Sequence, residues 1–144
     1  MEFKNWIIVK HQKNIRILSP SYLPFYKNFL EEKGVLVNKD FSLSESFINW
    51  NLYSKTYDFF YDYEGCEKEV ANDLLNSDLI KSKFLTMDFG YGNPIIEIEA
   101  KYFINNWYDF INGAHFETTV VSDDGLYICE FLKGGTLKSN FKIR

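Results

Sequence analysis

The sequence predicts an α+β fold: a mainly antiparallel sheet that ends in a C-terminal three-strand meander, with about three helices packed on it. Three observations predict it. Residues 84–143 hold the densest apolar pattern, two short strand-like runs, one amphipathic run and three more strand-like runs. The turns between the last strands are spelled by Asp124-Gly125 and Gly134-Gly135, which favour tight reversals. Two further stretches, 24–33 and 65–76, place apolar residues at helical spacing. The chain has 144 residues and no Pro- or Gly-rich linker, so residues 1–144 read as a single globular domain.

Taken in order, residues 3–9 (FKNWIIV) and 14–18 (NIRIL) are rich in β-branched and aromatic residues. They read as two strands joined by a hairpin loop at Lys10-His11-Gln12-Lys13. Pro24 suits the first turn of a helix, where its missing N–H costs nothing. Phe25, Phe29 and Leu30 then share a face, and Gly34 is the expected stop. Ile48, Trp50 and Leu52 alternate with Asn49, Asn51 and Tyr53, which predicts a half-buried strand. Phe59-Phe60-Tyr61 is a second candidate strand.

A helix is predicted over 65–76, with Cys66, Val70, Leu74 and Leu75 on one face and Ala71 beside them. Glu64 and Glu67 sit at its N-terminal end, where the helix dipole favours negative charge. Strands are expected at 83–89 and 95–99, joined by the turn-rich loop 90–94. A helix follows from Ala100 to Asn112, closed by Gly113. Its stripe of Phe103, Trp107, Phe110 and Ile111 would contribute on the order of 6–12 kcal/mol before entropy is subtracted. The meander comprises 116–121, 126–132 and 137–143. In its last strand Leu137, Ser139, Phe141 and Ile143 point inward, and Lys138, Asn140 and Lys142 face solvent.

Aromatic residues make up 19% of the chain, which fits either an AT-rich coding sequence or an aromatic-rich binding surface. Net charge is −4, and it is uneven. Residues 1–40 carry seven Lys/Arg against four Asp/Glu, residues 41–130 five against sixteen, and residues 131–144 four against none. An acidic middle between basic ends argues against nucleic acid as the partner, because phosphate binding needs a concentrated basic surface. It suits a basic partner, or simply a mixed, solvated surface. No apolar run is long enough to span a membrane, so no membrane association is expected. The start of the chain does not read as a signal peptide. Cys66 and Cys129 are isolated and read as reduced, partly buried residues. A cytoplasmic location follows from these readings.

The search for chemistry is mostly negative. His11 and His115 stand far apart, and no HExxH or HxxxH spacing supports a zinc site. No catalytic residue, metal or cofactor is expected. Asp88-Phe89-Gly90 spells a kinase triplet without the other kinase parts. Gly90-Tyr91-Gly92 precedes a strand and lacks the helix N-terminus of a phosphate-binding loop. Glu97 and Glu99 point to one face of a strand and could act as paired acids, or form the solvent face of an edge strand. Asp123-Asp124 is explained by its turn.

One cluster stands apart: residues 57–69, YDFFYDYEGCEKE. Tyr57, Tyr61 and Tyr63 interleave with Asp58, Asp62, Glu64, Glu67 and Glu69. Tyrosine offers contact area with a polar tip, and carboxylates steer and pair with basic partners. These eight residues are the candidate partner-binding set. The alternative is that the aromatics pack inward and the acids are merely solvated.

The C-terminal scaffold carries a resemblance. PIIEIEAKYFINNWYDFI (Pro94 to Ile111), SDDGLYICEF (Ser122 to Phe131) and SNFKI (Ser139 to Ile143) together resemble small bacterial immunity proteins of polymorphic or contact-dependent toxin systems. The resemblance implies a cytoplasmic, non-enzymatic protein that binds and neutralises one cognate toxin domain by protein–protein contact. Such toxins are often nucleases with basic clefts, which an acidic inhibitor would suit. No family binding residue is carried over. A different expectation is a small ligand-binding or enzymatic domain with a pocket near residues 90–107, lined by Tyr91, Glu97 and Trp107.

Overall fold

The computed structural model describes residues 6–19, 25–38, 48–60, 65–88, 94–114, 118–132 and 134–143. Its centre is one antiparallel sheet. The strands are β1 (Ile15–Ser19), β2 (Tyr57–Phe60), β3 (Phe84–Met87), β4 (Ile95–Glu99), β5 (Thr118–Ser122), β6 (Ile128–Leu132) and β7 (Thr136–Ser139). Their spatial order is β1-β4-β3-β5-β6-β7-β2. The chain is therefore α+β, and β5-β6-β7 form the expected meander.

Strand alternation gives the sheet two different faces. Ile15, Ile17, Phe59, Leu85, Met87, Ile96, Ile98, Val120, Cys129, Phe131 and Leu137 point to one side. That side is covered by α1 (Trp6–Lys10), α3 (Glu67–Leu75), α4 (Ala100–Asn105) and α5 (Trp107–Gly113). The predicted stripe of Phe103, Trp107, Phe110 and Ile111 is fully buried here. Trp107 stacks on Phe131, with ring centroids 6.0 Å apart. The opposite side receives α2 (Phe25–Glu32) with residues 35–38 and 48–53, packed over Ile95, Val121 and Ile128.

The helix expected over 100–112 breaks at Asn106. Its side-chain amide donates to the Tyr102 carbonyl at 2.9 Å and competes with the backbone ladder there. The stop of α2 is as expected. Gly34 has φ 83°, its N–H bonds to the Glu31 carbonyl, and the Val35 N–H reaches back to Leu30. The face of α2, however, centres on the fully buried Tyr26 with Leu30. In the β5–β6 turn Gly125 has φ 77°, and a Cβ there would stand 2.3 Å from the Lys33 carbonyl oxygen. That close approach joins the meander to the end of α2.

Two strand expectations are corrected. Residues 6–10 form a helix, and no hairpin loop follows: Gln12–Asn14 is a short 3-10 turn leading into β1. The reason is visible in burial. Ile7, Ile8 and His11 are buried while Trp6 and Val9 are exposed, a pattern at i, i+1, i+4 that a strand cannot produce. Residues 48–52 do not form a strand either. Ile48 makes a single bridge to Val37, and Trp50–Leu52 is a 3-10 turn with Leu52 exposed. In the last strand, Lys138 and Asn140 are half-buried and bonded instead of facing open solvent. No described helix is long and apolar enough to cross a membrane.

Candidate functional site

The candidate segment straddles the end of the sheet and the start of α3. Among the described residues β2 is the terminal strand, paired only with β7. Its residues point alternately to the two faces. Tyr57 and Phe59 lean to the helical side, and Asp58 and Phe60 to the other. Tyr57 and Asp58 are exposed, and Phe60 is 74% exposed. The Asp58 carboxylate lies 3.5 Å from Lys138 Nζ on the neighbouring strand. Tyr61, Asp62, Tyr63 and Glu64 lie outside the described residues.

Glu67 and Glu69 occupy the exposed first turn of α3, where the dipole favours them. The backbone beneath is fixed: the Glu67 carbonyl accepts a hydrogen bond from Trp107 Nε1 at 2.8 Å. Val70 and Leu74 bury the other side of the helix. Thus the acids stand on a rigid support, on a different element from Tyr57 and Asp58.

The register determines which backbone groups of β2 are open. The Asn140 N–H donates to the Ile128 carbonyl at 3.1 Å, one residue beyond the Cys129–Ser139 pair. Hydrogen-bonded and non-bonded pairs alternate along an antiparallel ladder. Glu130–Lys138 and Leu132–Thr136 are then bonded pairs, so Leu137 and Ser139 turn their backbone groups to β2. Their partners there are Phe59 and Tyr57. Asp58 and Phe60 must direct their N–H and C=O away from the sheet. Among the described residues, those groups meet no further strand.

Two polar clusters carry no local sequence signal. The first lies under α2 and residues 48–53. Glu130 is 3% exposed, accepts from Thr119 Oγ1 at 2.7 Å and from Trp50 Nε1 at 3.0 Å. Asp88 is also buried and accepts from the Thr119 N–H at 2.9 Å. Tyr26 donates to the Thr119 carbonyl at 3.1 Å. Burial, then the nearby Asp88 charge, pushes the Tyr26 phenol well above its ordinary value. Burial and the adjacent Glu130 raise the Cys129 thiol likewise, which leaves it an unreactive core group. Both cysteines are free.

The second cluster fastens α1. His11 is 5% exposed and packs on Phe110. Its Nε2 lies 3.1 Å from Asp109 Oδ2 and its Nδ1 2.5 Å from Tyr102 Oη. Lys10 Nζ also donates to Asp109 Oδ2, at 2.8 Å. Partial burial of Asp109 opposes its ionisation, but the bonds and charges of Lys10 and His11 outweigh it and hold the carboxyl below its ordinary value. An ionised Asp109 accepts the Nε2 proton, which leaves Nδ1 to bond the Tyr102 hydroxyl. Lys10 and His11 lie 91–99 positions from Tyr102 and Asp109, and only the tertiary fold brings them together.

Tyr102 also borders a shallow groove of about 400 Å³ with Lys13, Asn14, Arg16, Glu97 and Glu99. Glu97 and Glu99 do share a face, but Glu97 is clamped by Arg16 through two bonds of 3.1 Å. Their strand is not an edge, since β4 lies between β1 and β3. Glu97 and Trp107 stand on opposite sides of the sheet, so they do not line one pocket, and Tyr91 lies outside the described residues. His115 does too. Among the described residues, no group of three His, Cys, Asp or Glu is placed to hold a metal ion. Asp88 and Asp124 both serve the backbone. Asp124 Oδ1 accepts from Ser122 Oγ at 2.6 Å and from the Leu126 N–H at 3.0 Å, and these bonds lower its carboxyl below the ordinary value.

No protein-family model matches the chain, and no curated protein matches it. Its own surface therefore supplies the functional reading.

Proposed function

We propose that this chain is an immunity protein that binds and neutralises a cognate bacterial toxin domain by protein–protein contact, in the cytoplasm and without catalysis of its own. The observation that carries the reading is the terminal strand β2, which holds Tyr57, Asp58 and Phe60 at the exposed end of the sheet. The sequence continues from there into Asp62, Glu64, Glu67 and Glu69, with no Lys or Arg between residues 56 and 67. Aromatic area beside an acidic stretch of sequence suits a basic protein surface, such as the cleft of a nuclease. The acidic balance of residues 41–130 favours the same partner.

Co-expression with candidate toxin domains tests this reading. Growth rescue by the wild-type chain is expected, together with loss of rescue when Asp58, Asp62, Glu64, Glu67 and Glu69 are all reversed to Lys. Association with the rescued toxin should slow most at low salt. Unchanged affinity in the five-fold reversal removes the proposed surface.

The groove beside Tyr102 favours a second reading, a small-ligand site, because Tyr102, whose hydroxyl is held by His11, lines it. A ligand that shifts the Tyr102 and Asn14 resonances and loses affinity in Tyr102→Phe would support that reading. Absence of any such ligand among polar metabolites would count against it.

A further inference from the structure

We infer that β2 takes one extended segment of the partner as an added eighth strand, and that this segment is basic. The inference rests on the reading that the chain binds a protein. Asp58 and Phe60 turn their N–H and C=O groups outward, so a partner strand can form main-chain bonds with both residues. Tyr57 and Phe59 are engaged with β7 and hold the edge in place. Such an edge invites pairing unless it is blunted or covered. Here it carries a phenylalanine that is 74% exposed, where an incoming β-branched or aromatic side chain would pack across the strands.

Charge selects the occupant. Asp58 lies on the edge itself, and Asp62, Glu64, Glu67 and Glu69 follow it in sequence. A Lys or Arg set opposite Asp58 meets opposite charge, and the sequence that continues from β2 is acidic. A second copy of this chain, paired antiparallel through β2, would bring two Asp58 carboxylates onto one short ladder, and like charges there are unfavourable.

The test uses the full chain and a capped six-residue peptide of alternating Lys and Val. Two controls are its Glu–Val counterpart and the Lys–Val peptide N-methylated at alternate residues. Binding of the Lys–Val peptide should slow hydrogen exchange at the Asp58 and Phe60 amides. N-methylation on the bonding edge should weaken binding at least tenfold. Phe60→Pro removes an outward N–H without touching the β7 ladder, a position where edge strands accept proline. It should bind at least tenfold more weakly than Phe60→Ala, with both variants folded. The N-methylated peptide keeps the test valid on the unaltered protein if the proline variant misfolds.

Equal binding by Phe60→Pro and Phe60→Ala overturns strand addition, as does equal binding of the N-methylated peptide. Equal binding of the Glu–Val peptide overturns the basic occupant. A dimer seen by sedimentation and abolished by Phe60→Pro overturns it in favour of a second copy. The Glu67→Lys, Glu69→Lys double variant separates the two levels. If it weakens Lys–Val binding while the two Phe60 variants bind alike, the acidic surface stands and strand addition falls. If the double variant and Phe60→Pro both bind the peptide like wild type, both fall.

Discussion

The two ends of the sheet are closed in different ways. At one end β1 is fastened by side chains from elsewhere. Arg16 grips Glu97 on the neighbouring strand, and α1 just before β1 is locked to α4 and α5 through Lys10, His11, Tyr102 and Asp109. The register shift between Ile17 and Ser19 further disrupts that edge as a template for pairing. At the other end β2 has four residues and, among the described residues, pairs with β7 and no other strand, with Asp58 3.5 Å from Lys138. Three of its four side chains are exposed. The difference teaches that one edge is tied down by side chains, while among the described residues the other pairs with no further strand and carries Asp58.

Perturbing the β1 end should cost most. His11→Ala removes a buried ring that bonds both Tyr102 and Asp109 and packs on Phe110. We expect a loss of about 2–4 kcal/mol in unfolding free energy, read by urea titration. A loss under about 0.5 kcal/mol, the range of an ordinary surface change, would mean that α1 is not a fastening.

The polarity of β2 gives the next effect. Phe59→Pro deletes an N–H directed at β7 and should cost about 1–3 kcal/mol more than Phe59→Ala. Phe60→Pro should fall within about 0.5 kcal/mol of Phe60→Ala, because its N–H points outward. Equal penalties at both positions would reverse the deduced register.

Smaller still, Arg16→Ala should cost about 0.5–1 kcal/mol, since the pair with Glu97 is bidentate but the arginine is mostly exposed. Asp58→Asn should cost less than that in stability while weakening association with a basic partner at low salt. A stability loss at Asp58 larger than at Arg16 would make β2 the better-fastened edge.

The smallest effect depends on pH. The folded-state carboxyl of Asp109 titrates below its ordinary value of 3.8, so its stabilisation is present above that value and is lost as pH falls through the folded one. The stability gap between wild type and Asp109→Asn should therefore be full at pH 7 and shrink below about pH 4. A gap that grows on acidification would contradict the sign.

Legibility followed the range of the interactions. The meander could be read because its turns are local: Gly125 must adopt φ 77° and Asp124 bonds its own loop. The α5 stripe could be read because Trp107, Phe110 and Ile111 repeat at helical spacing. Trp6–Val9 misled because its residue types suit a strand, while docking on α5 decides its form. Ile48, Trp50 and Leu52 misled because alternation of types is not alternation of burial: the indole of Trp50 is held by Glu130, eighty positions away.

The acidic cluster was legible as residue types, but its geometry was not. That β2 is terminal follows from the strand order, which places it beside β7 and not beside its sequence neighbours. The separation of Tyr57 and Asp58 onto opposite faces follows from simple alternation once the strand is known. The His11–Tyr102–Asp109 cluster carries no local signal at all, because no spacing rule links residues so far apart.

Amide hydrogen exchange in the free protein tests the open edge most directly. The account predicts protected amides at Tyr57 and Phe59 and exchange near the unprotected rate at Asp58 and Phe60. Protection of Asp58 and Phe60 equal to that of Tyr57 and Phe59 would show that the edge is already covered, and would contradict it.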